Sequence, residues 1–336
     1  MKIIVTGGAG FVGSHTCVRL LEEGHNVLIL DTFVNSSIGT VSKVEAISRH
    51  KVDYHQCDIL DESELNKQFI SFKPDVVVHL AGFKSVADSI KKPGPYYQTN
   101  FNGTLNILSA MDLVGCQRII FSSSATVYGS SEILKISEDA PLAPSQPYGR
   151  SKLFAEWAIR DWCALDGERG ASILRYFNPL GAHSSGKIGE DSKDTPNNVM
   201  PLIVKSASSD NLVFQIFGDD YETRDGTGVR DYIHVMDVAE AHCQEVSRAG
   251  SGVEIFNIGL GFGVSVLELI EAFERATGKT VPWSIAPRRD GDIGYSCADA
   301  SKIRKVSGWK PKYSVEDMCS DSWRFAENQR LKLNQQ

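Results

Sequence analysis

Val5-Thr6-Gly7-Gly8-Ala9-Gly10-Phe11-Val12-Gly13 stands between a short β-branched run, residues 3–6, and a longer apolar-periodic stretch, residues 12–23. The order predicts strand, tight turn, helix. Gly7, Gly10 and Gly13 are spaced G-x-x-G-x-x-G, a variant of the dinucleotide fingerprint. Such glycines allow the turn itself, close approach of a pyrophosphate to backbone, and close packing of helix on strand. The diphosphate is then expected at the helix N-terminus, on free N–H groups and the positive end of the dipole. A second run, residues 27–30, ends at Asp31, where the acidic residue for an adenosine ribose is expected. A carboxylate there accepts from ribose hydroxyls and repels a 2′-phosphate, which favours NAD over NADP.

The same rhythm continues outward from this turn. Residues 52–56, 76–80, 118–122 and 172–176 read as strands, with amphipathic stretches at 61–72 and about 96–114 between them. Alternation of this kind predicts an α/β fold: a Rossmann-type, doubly wound parallel sheet with helices on both faces. Beyond residue 177 the pattern loosens into Gly-, Asp-, Asn- and Pro-rich loops at 178–201 and 218–230. Residues 1–177 are therefore expected to form the dinucleotide domain. Residues 178–336 are expected to form a smaller α/β substrate domain, with room for the chain to cross back near 231–256. A ligand fits the cleft between two such units.

Composition narrows the function classes. A net charge of −7 and a pI near 5.7 argue against nucleic-acid or anionic-membrane partners, so any phosphate must be held by local groups. No apolar run reaches the roughly 18 residues of a bilayer span, and the apolar start is too short for a signal peptide. A cytoplasmic protein is expected. The seven cysteines (17, 57, 116, 163, 243, 297, 319) show neither C-x-x-C nor a metal-type cluster. They predict thiols rather than disulfides, and no metal.

The chemistry points to Pro147-Tyr148-Gly149-Arg150-Ser151-Lys152. On a helix, Tyr148 and Lys152 share one face. An ammonium beside a phenol favours phenolate, so the tyrosine pKa is expected below its usual value of about 10, making a general base. An ordinary amphipathic helix with no catalytic role remains the alternative for this spacing alone. Asp58 is open between accepting from an adenine amino group and capping the helix at 61–72. His79 is expected to be packed, ahead of Leu80-Ala81-Gly82 at the cofactor edge.

Three stretches in order carry a family resemblance: Thr6 to Gly13, Ser122-Ser123-Ser124-Ala125-Thr126-Val127-Tyr128, and Tyr148 to Lys152. With them the chain resembles the extended short-chain dehydrogenases/reductases, and within those the UDP-hexose 4-epimerases. Further matches are Tyr96-Tyr97 with Asn100, Arg175-Tyr176-Phe177-Asn178-Pro179, Pro196-Asn197-Asn198, residues 226–234, and residues 286–292. The resemblance covers nearly the whole chain. It implies Tyr148 as the base at the sugar 4-OH, with Lys152 and the nicotinamide cation stabilising its phenolate and Ser124 bonding the same oxygen. Hydride would pass from sugar C4 to bound NAD and return on the other face after the ketone turns over. It also implies cofactor contacts from Phe11, Val12, Asn35, Asp58, Ile59, Leu80, Ala81, Gly82, Lys84, Thr99 and Phe177. For the UDP-sugar it implies Lys84, Asn178, Asn198, Val199, Phe217, Arg230, Arg289, Asp292 and Ser296. Two arginines suit a diphosphate because a guanidinium makes bidentate, charge-assisted bonds. A homodimer is implied too, through the segment near 96–114 and the helix starting at Tyr148.

Departures from the family pattern carry information. Thr99 stands where the family often has Asn. Ser296, four residues beyond Asp292, falls where the epimerases line the sugar 2-substituent. A small residue there resembles enzymes that also take N-acetylated sugars, whereas a slip of one would put Tyr295 at that wall and restrict the enzyme to UDP-glucose and UDP-galactose. A nucleotide-sugar 4,6-dehydratase would carry an acidic residue after a threonine where this chain has Ser124-Ala125-Thr126. A simple dehydrogenase would release NADH at each turnover. A non-catalytic NAD-binding redox sensor would usually lack Tyr148 or Lys152.

Overall fold

The computed structural model describes residues 1–130, 133–191, 198–209, 211–248, 250–289 and 292–333, with side chains to 331. Six strands come first: β1 (Lys2–Thr6), β2 (Asn26–Asp31), β3 (Asp53–Gln56), β4 (Val76–His79), β5 (Arg118–Ser124) and β6 (Gly170–Tyr176). With the strand Gly252–Ile258 they form one seven-stranded sheet, ordered Gly252–Ile258, β6, β5, β4, β1, β2, β3. Every pairing in it is parallel. The expected α/β class is thus present, in a doubly wound form.

Both faces are covered, as parallel sheets require. Along β1 the side chains alternate: Ile3 and Val5 join one apolar cluster with Val27 and Ile29, and Ile4 joins the other with Leu28 and Leu30. The first cluster is roofed by helices Phe11–Glu22 and Val235–Arg248, the second by Glu62–Phe72, Gly103–Val114 and Pro147–Ala164. Strand order reverses between β1 and β4. The crevice at their C-terminal ends is the topological switch point, where open α/β sheets bind ligands.

Differences from the expected elements have physical reasons. The segment expected from 96 to 114 is broken: Tyr97–Asn102 is π-helical and passes into the α-helix Gly103–Val114. Such bulges cluster at functional sites, and this one carries Thr99 and Asn100. A helix at Gly39–Ser48 was not expected, because only Val41, Val44 and Ser48 are buried along it and its apolar stripe is weak. In the second half, short strands pair across long separations: Asn178–Leu180 with Tyr232–His234, Phe214–Phe217 with Trp283–Ala286, and Val229–Arg230 between Val264–Ser265 and Tyr295–Ser296. All seven cysteines are buried free thiols. Among the described residues no helix is long and apolar enough to cross a membrane.

Candidate active site

A cavity of about 480 Å³ opens at the switch point. One wall is the glycine turn, and its three glycines do different work. Gly7 has φ +69°, and a Cβ there would lie 2.7 Å from the Ala81 nitrogen. A Cβ on Gly13 would lie 2.1 Å from the Gly7 carbonyl oxygen, so the helix could not pack onto the turn. Gly10 has no such crowding and leaves its face open to the cavity. Helix Phe11–Glu22 begins there with no side-chain cap on its first turn, so its orphan N–H groups are available to an anion. These features fit a dinucleotide pyrophosphate.

Asp31, at the end of β2, already accepts from Ala9 N at 2.9 Å, Phe33 N at 2.9 Å and Ser36 Oγ at 3.0 Å. A carboxylate has about four acceptor positions, so its Oδ2 keeps one for a ribose hydroxyl. Asp58 lines the cavity and accepts from Leu60 N at 2.9 Å. The helix cap is Asp61, which accepts from Glu64 N at 3.1 Å, and this removes the capping alternative for Asp58. His79 is packed: its Nδ1 meets Thr6 Oγ1 at 2.7 Å and its Nε2 meets Thr104 Oγ1 at 3.1 Å. Burial first, then the Lys152 charge, lowers its pKa to about 3, so it stays neutral.

Asn100 ties the far wall together. Its Oδ1 accepts from Phe83 N at 2.8 Å, and its Nδ2 donates to Phe83 O and to Ser151 Oγ, both at 3.0 Å. The loop after β4, which carries Leu80, Ala81, Gly82 and Lys84, is thereby pinned to helix Pro147–Ala164. Tyr148 occupies the first turn of that helix and keeps part of its surface open to the cavity. Ser124, the last residue of β5, stands against its hydroxyl and lowers its pKa. Ser124 Oγ accepts from Thr126 N at 3.2 Å and Thr126 Oγ1 at 3.0 Å. With Thr126 donating to it, Ser124 has its own proton free to turn to Tyr148. Thr126 gave no signal in the sequence beyond its place in the serine motif.

Lys152 is buried and donates from Nζ to Ser122 O at 2.8 Å, with the Phe121 ring 5.0 Å away. Burial lowers the ammonium to about 8, against the pull of Glu156. The expected depression of the tyrosine does not occur in the protein by itself. Burial raises Tyr148 above its ordinary value, the Ser124 hydrogen bond lowers it in part, and the Tyr96 hydroxyl pushes it up. Lys152 gives one of its three N–H donors to the Ser122 carbonyl, and burial dominates at Tyr148, so a lowered tyrosine needs an added positive charge in the cavity.

Every residue predicted for the cofactor lines this cavity, Phe11, Val12, Asn35, Ile59, Thr99 and Phe177 included, and so do Asn178, Asn198 and Val199. Phe217, Arg230, Arg289, Asp292 and Ser296 do not form its wall. They make an adjacent cluster: Arg230 Nη2 donates to Asp292 Oδ1 at 2.5 Å, and the Arg289 guanidinium stacks 3.7 Å over Phe217. Tyr232 lies against both, lining the cavity while its hydroxyl feels Arg230 and Asp292. Pro196, Asn197, Asp290 and Gly291 of the quoted motifs lie outside the described residues. Tyr295 and Val229 are paired in register, as are Ser296 and Arg230. Neighbours in register point to one side of a sheet. Tyr295 therefore goes with Val229 towards Gly263, whose added Cβ would meet both, and Ser296 shares the Arg230 face.

Two anchoring carboxylates were not singled out in the sequence. Glu190 accepts from Lys84 Nζ at 2.6 Å and also from Asn198 Nδ2, joining two predicted ligand contacts across the cavity. Asp231 accepts from Leu260 N at 2.7 Å, Gly261 N at 2.9 Å and Ala298 N at 3.0 Å, while its carbonyl accepts from Asn178 Nδ2 at 3.0 Å. It holds three loops around Arg230. Its place between Arg230 and Tyr232 was visible; its partners, up to 67 residues away, were not.

Comparison with known proteins decides the family. The family model for GDP-mannose 4,6-dehydratase matches residues 4–322. UDP-glucose 4-epimerase of Bacillus subtilis is 45% identical over 327 residues, covering 97% of this chain and 96% of the relative. The chain belongs to the UDP-glucose 4-epimerase family of extended short-chain dehydrogenases/reductases. Two solved members of that epimerase family superpose along almost the whole length. The Stenotrophomonas maltophila UDP-glucose 4-epimerase, with bound NAD and formylated UDP-arabinopyranose, is 43% identical with TM-score 0.95, covering 99% of each chain. The Bifidobacterium longum enzyme, in complex with NAD+ and UDP, is 43% identical with TM-score 0.95, covering 98% of this chain and 99% of that one.

Proposed function

We propose that this protein is a UDP-sugar 4-epimerase that works with tightly bound NAD, on UDP-glucose/UDP-galactose and on the N-acetylated pair. Residues 1–177 would hold the cofactor and residues 178–336 the UDP-sugar. The observation that carries the reaction class is the Ser124–Tyr148 hydroxyl pair, with Ser124 engaged by Thr126 and lowering the phenol. The glycine turn, Asp31 and Lys152 would hold NAD, which supplies a hydride acceptor at sugar C4 and returns the hydride after the ketone turns over. Tyr148 takes the 4-OH proton and gives it back. Ser124 donates to the same oxygen as charge develops, the kind of fixed dipole that stabilises a transition state without reorganising. Lys152 keeps a positive charge one helical turn below the phenol and favours its phenolate. Arg230 and Arg289 would bind the diphosphate, with Asp292 on the uridine ribose, leaving the hexose free to rotate. The matched family description names dehydratases, but Ala125 supplies no carboxylate for eliminating water.

Room for an acetamido group rests on Ser296, which lies on the Arg230 face while Tyr295 points to the opposite one. Wild-type protein is expected to turn over both UDP-glucose and UDP-N-acetylglucosamine. Ser296→Tyr should lose the N-acetylated substrate by about 10–200-fold, the range a steric pocket change commands, and keep the plain one. A wild type that ignores UDP-N-acetylglucosamine would confine the enzyme to UDP-glucose and UDP-galactose.

A homodimer is proposed on an aromatic strip shared by the two predicted interface segments. Phe154 stacks on Tyr97 at 5.9 Å and meets Phe101 at 6.0 Å and Trp157 at 5.6 Å, and Trp157 is 47% exposed. Light scattering should give twice the chain mass; a monomer at working concentration contradicts this.

A further inference from the structure

We propose that Glu156 is a positioning residue for the Ser124, Tyr148 and Lys152 group, clamping the end of β5 to the helix of the base and holding Lys152 in its charged form. This rests on Tyr148 being the proton-accepting base. Tyr148, Lys152 and Glu156 follow each other at four-residue steps, so they form one stripe along helix Pro147–Ala164. The carboxylate of Glu156 is fully buried. It accepts from Ser123 Oγ, and Ser123 stands between Ser122, whose carbonyl accepts a hydrogen bond from Lys152 Nζ, and Ser124, which lowers Tyr148. One contact therefore sets the spacing of both. Arg175 on β6 closes the carboxylate from behind, with Nε to Oε1 at 3.0 Å and Nη2 to Oε2 at 2.7 Å. Arg175 is itself held by Tyr128 Oη at 2.9 Å, which donates to Asn257 Oδ1 at 2.7 Å on the strand Gly252–Ile258. The network ties β5, β6 and the edge strand to the helix one turn beyond Lys152.

A buried ion pair adds little to stability compared with an apolar pair of the same volume, so its place below Lys152 calls for another role. The groups facing Lys152 are Tyr148 and Glu156 on its own helix, the Ser122 carbonyl and Phe121 ring on β5, and neutral His79 on β4; Arg175 of β6 lies behind Glu156. Among these, Glu156 is the negative charge. Burial alone drives Lys152 towards its neutral form, and Glu156 opposes it.

The test is the pH profile of kcat/KM in NAD-loaded protein. Glu156→Gln should move the alkaline limb, where Lys152 loses its proton, down by about one pH unit, the scale of a lost neighbouring charge. Glu156→Asp keeps the charge and shortens the reach. Its limb should stay in place while the plateau rate falls, by up to about 10²-fold for a displacement near 1 Å. UDP affinity should be unchanged in both, because the hydrogen bonds of Arg230 and Asp292 go to each other and to neighbouring backbone, not to Glu156 or Arg175. If Glu156→Gln does not fold, Glu156→Leu/Arg175→Met removes the pair with no net change of charge and tests the clamp alone: its plateau rate should fall, and a wild-type rate overturns the proposal. An alkaline limb at the wild-type position in folded Glu156→Gln overturns the proposal. Tyrosinate difference absorbance, each protein against its Tyr148→Phe counterpart, reads the phenol without turnover: with the Lys152 charge lost at lower pH, its ionisation should move up in Glu156→Gln, and an unmoved phenol overturns the proposal. Should the wild type fail to epimerise any UDP-hexose, the function falls and this titration still decides the role of Glu156.

Discussion

Tyr148→Phe is expected to lower kcat by about 10²–10⁴-fold, the contribution of a positioned general base, with UDP and NAD still bound. The ring and its packing against Tyr96, 6.4 Å between centroids, survive the change, so only the hydroxyl is lost. Without it the 4-OH proton has no acceptor. Ser124 is a neutral alcohol already engaged by Thr126, too weak a base to take the role. Lys152 is held on the Ser122 carbonyl, a full turn away along the helix. KM should change little if, as proposed, the nucleotide is held by the Arg230 and Asp292 cluster rather than by the phenol. A variant that keeps more than about a tenth of wild-type kcat would remove Tyr148 from the reaction, since even the lower bound for a general base exceeds that.

Gly13→Ala should abolish cofactor binding. Its Cβ would lie 2.1 Å from the Gly7 carbonyl oxygen and 2.8 Å from the Gly8 Cα, and both neighbours are backbone that no rotamer change can move. The helix must shift away from the turn, carrying its uncapped N–H groups off the pyrophosphate position. Overpacking of this kind costs about 1–3 kcal/mol, so the variant is expected to fold with a lowered Tm. Nicotinamide released on denaturing the purified protein should fall from near-stoichiometric in the wild type to background. Full recovery of NAD from Gly13→Ala would show that the cofactor is not held at this turn.

Much of this was legible from local chemistry. The glycine turn reads clearly because each glycine answers a constraint within a few residues: a positive φ at Gly7, and contact with the Gly7 carbonyl at Gly13. Strands such as β4, buried on both faces, announce themselves as unbroken Val runs. Apart from Gly252–Ile258, the strands of the second half are two to four residues long, too short for a period to show. Helix Gly39–Ser48 escaped for the same reason, having few buried positions. In the site, Tyr148 and Lys152 were readable as a spacing, but their protonation was not. Proximity of the lysine suggested a lowered phenol, whereas burial dominates and raises it. The anchoring groups were hidden because their partners are far along the chain: Arg175 binds a glutamate 19 residues before it, and Arg230 an aspartate 62 residues after it. Nothing local distinguishes Glu156, Glu190 or Asp231 from surface carboxylates.

Reversible hydride transfer at sugar C4 within one active site is the central claim, and isotope tracing tests it most directly. UDP-glucose carrying deuterium at C4 should give UDP-galactose that retains the deuterium at C4, with no net NADH accumulating in the presence of added NAD. Deuterium found in free NADH, or lost to solvent on the way to product, would contradict it.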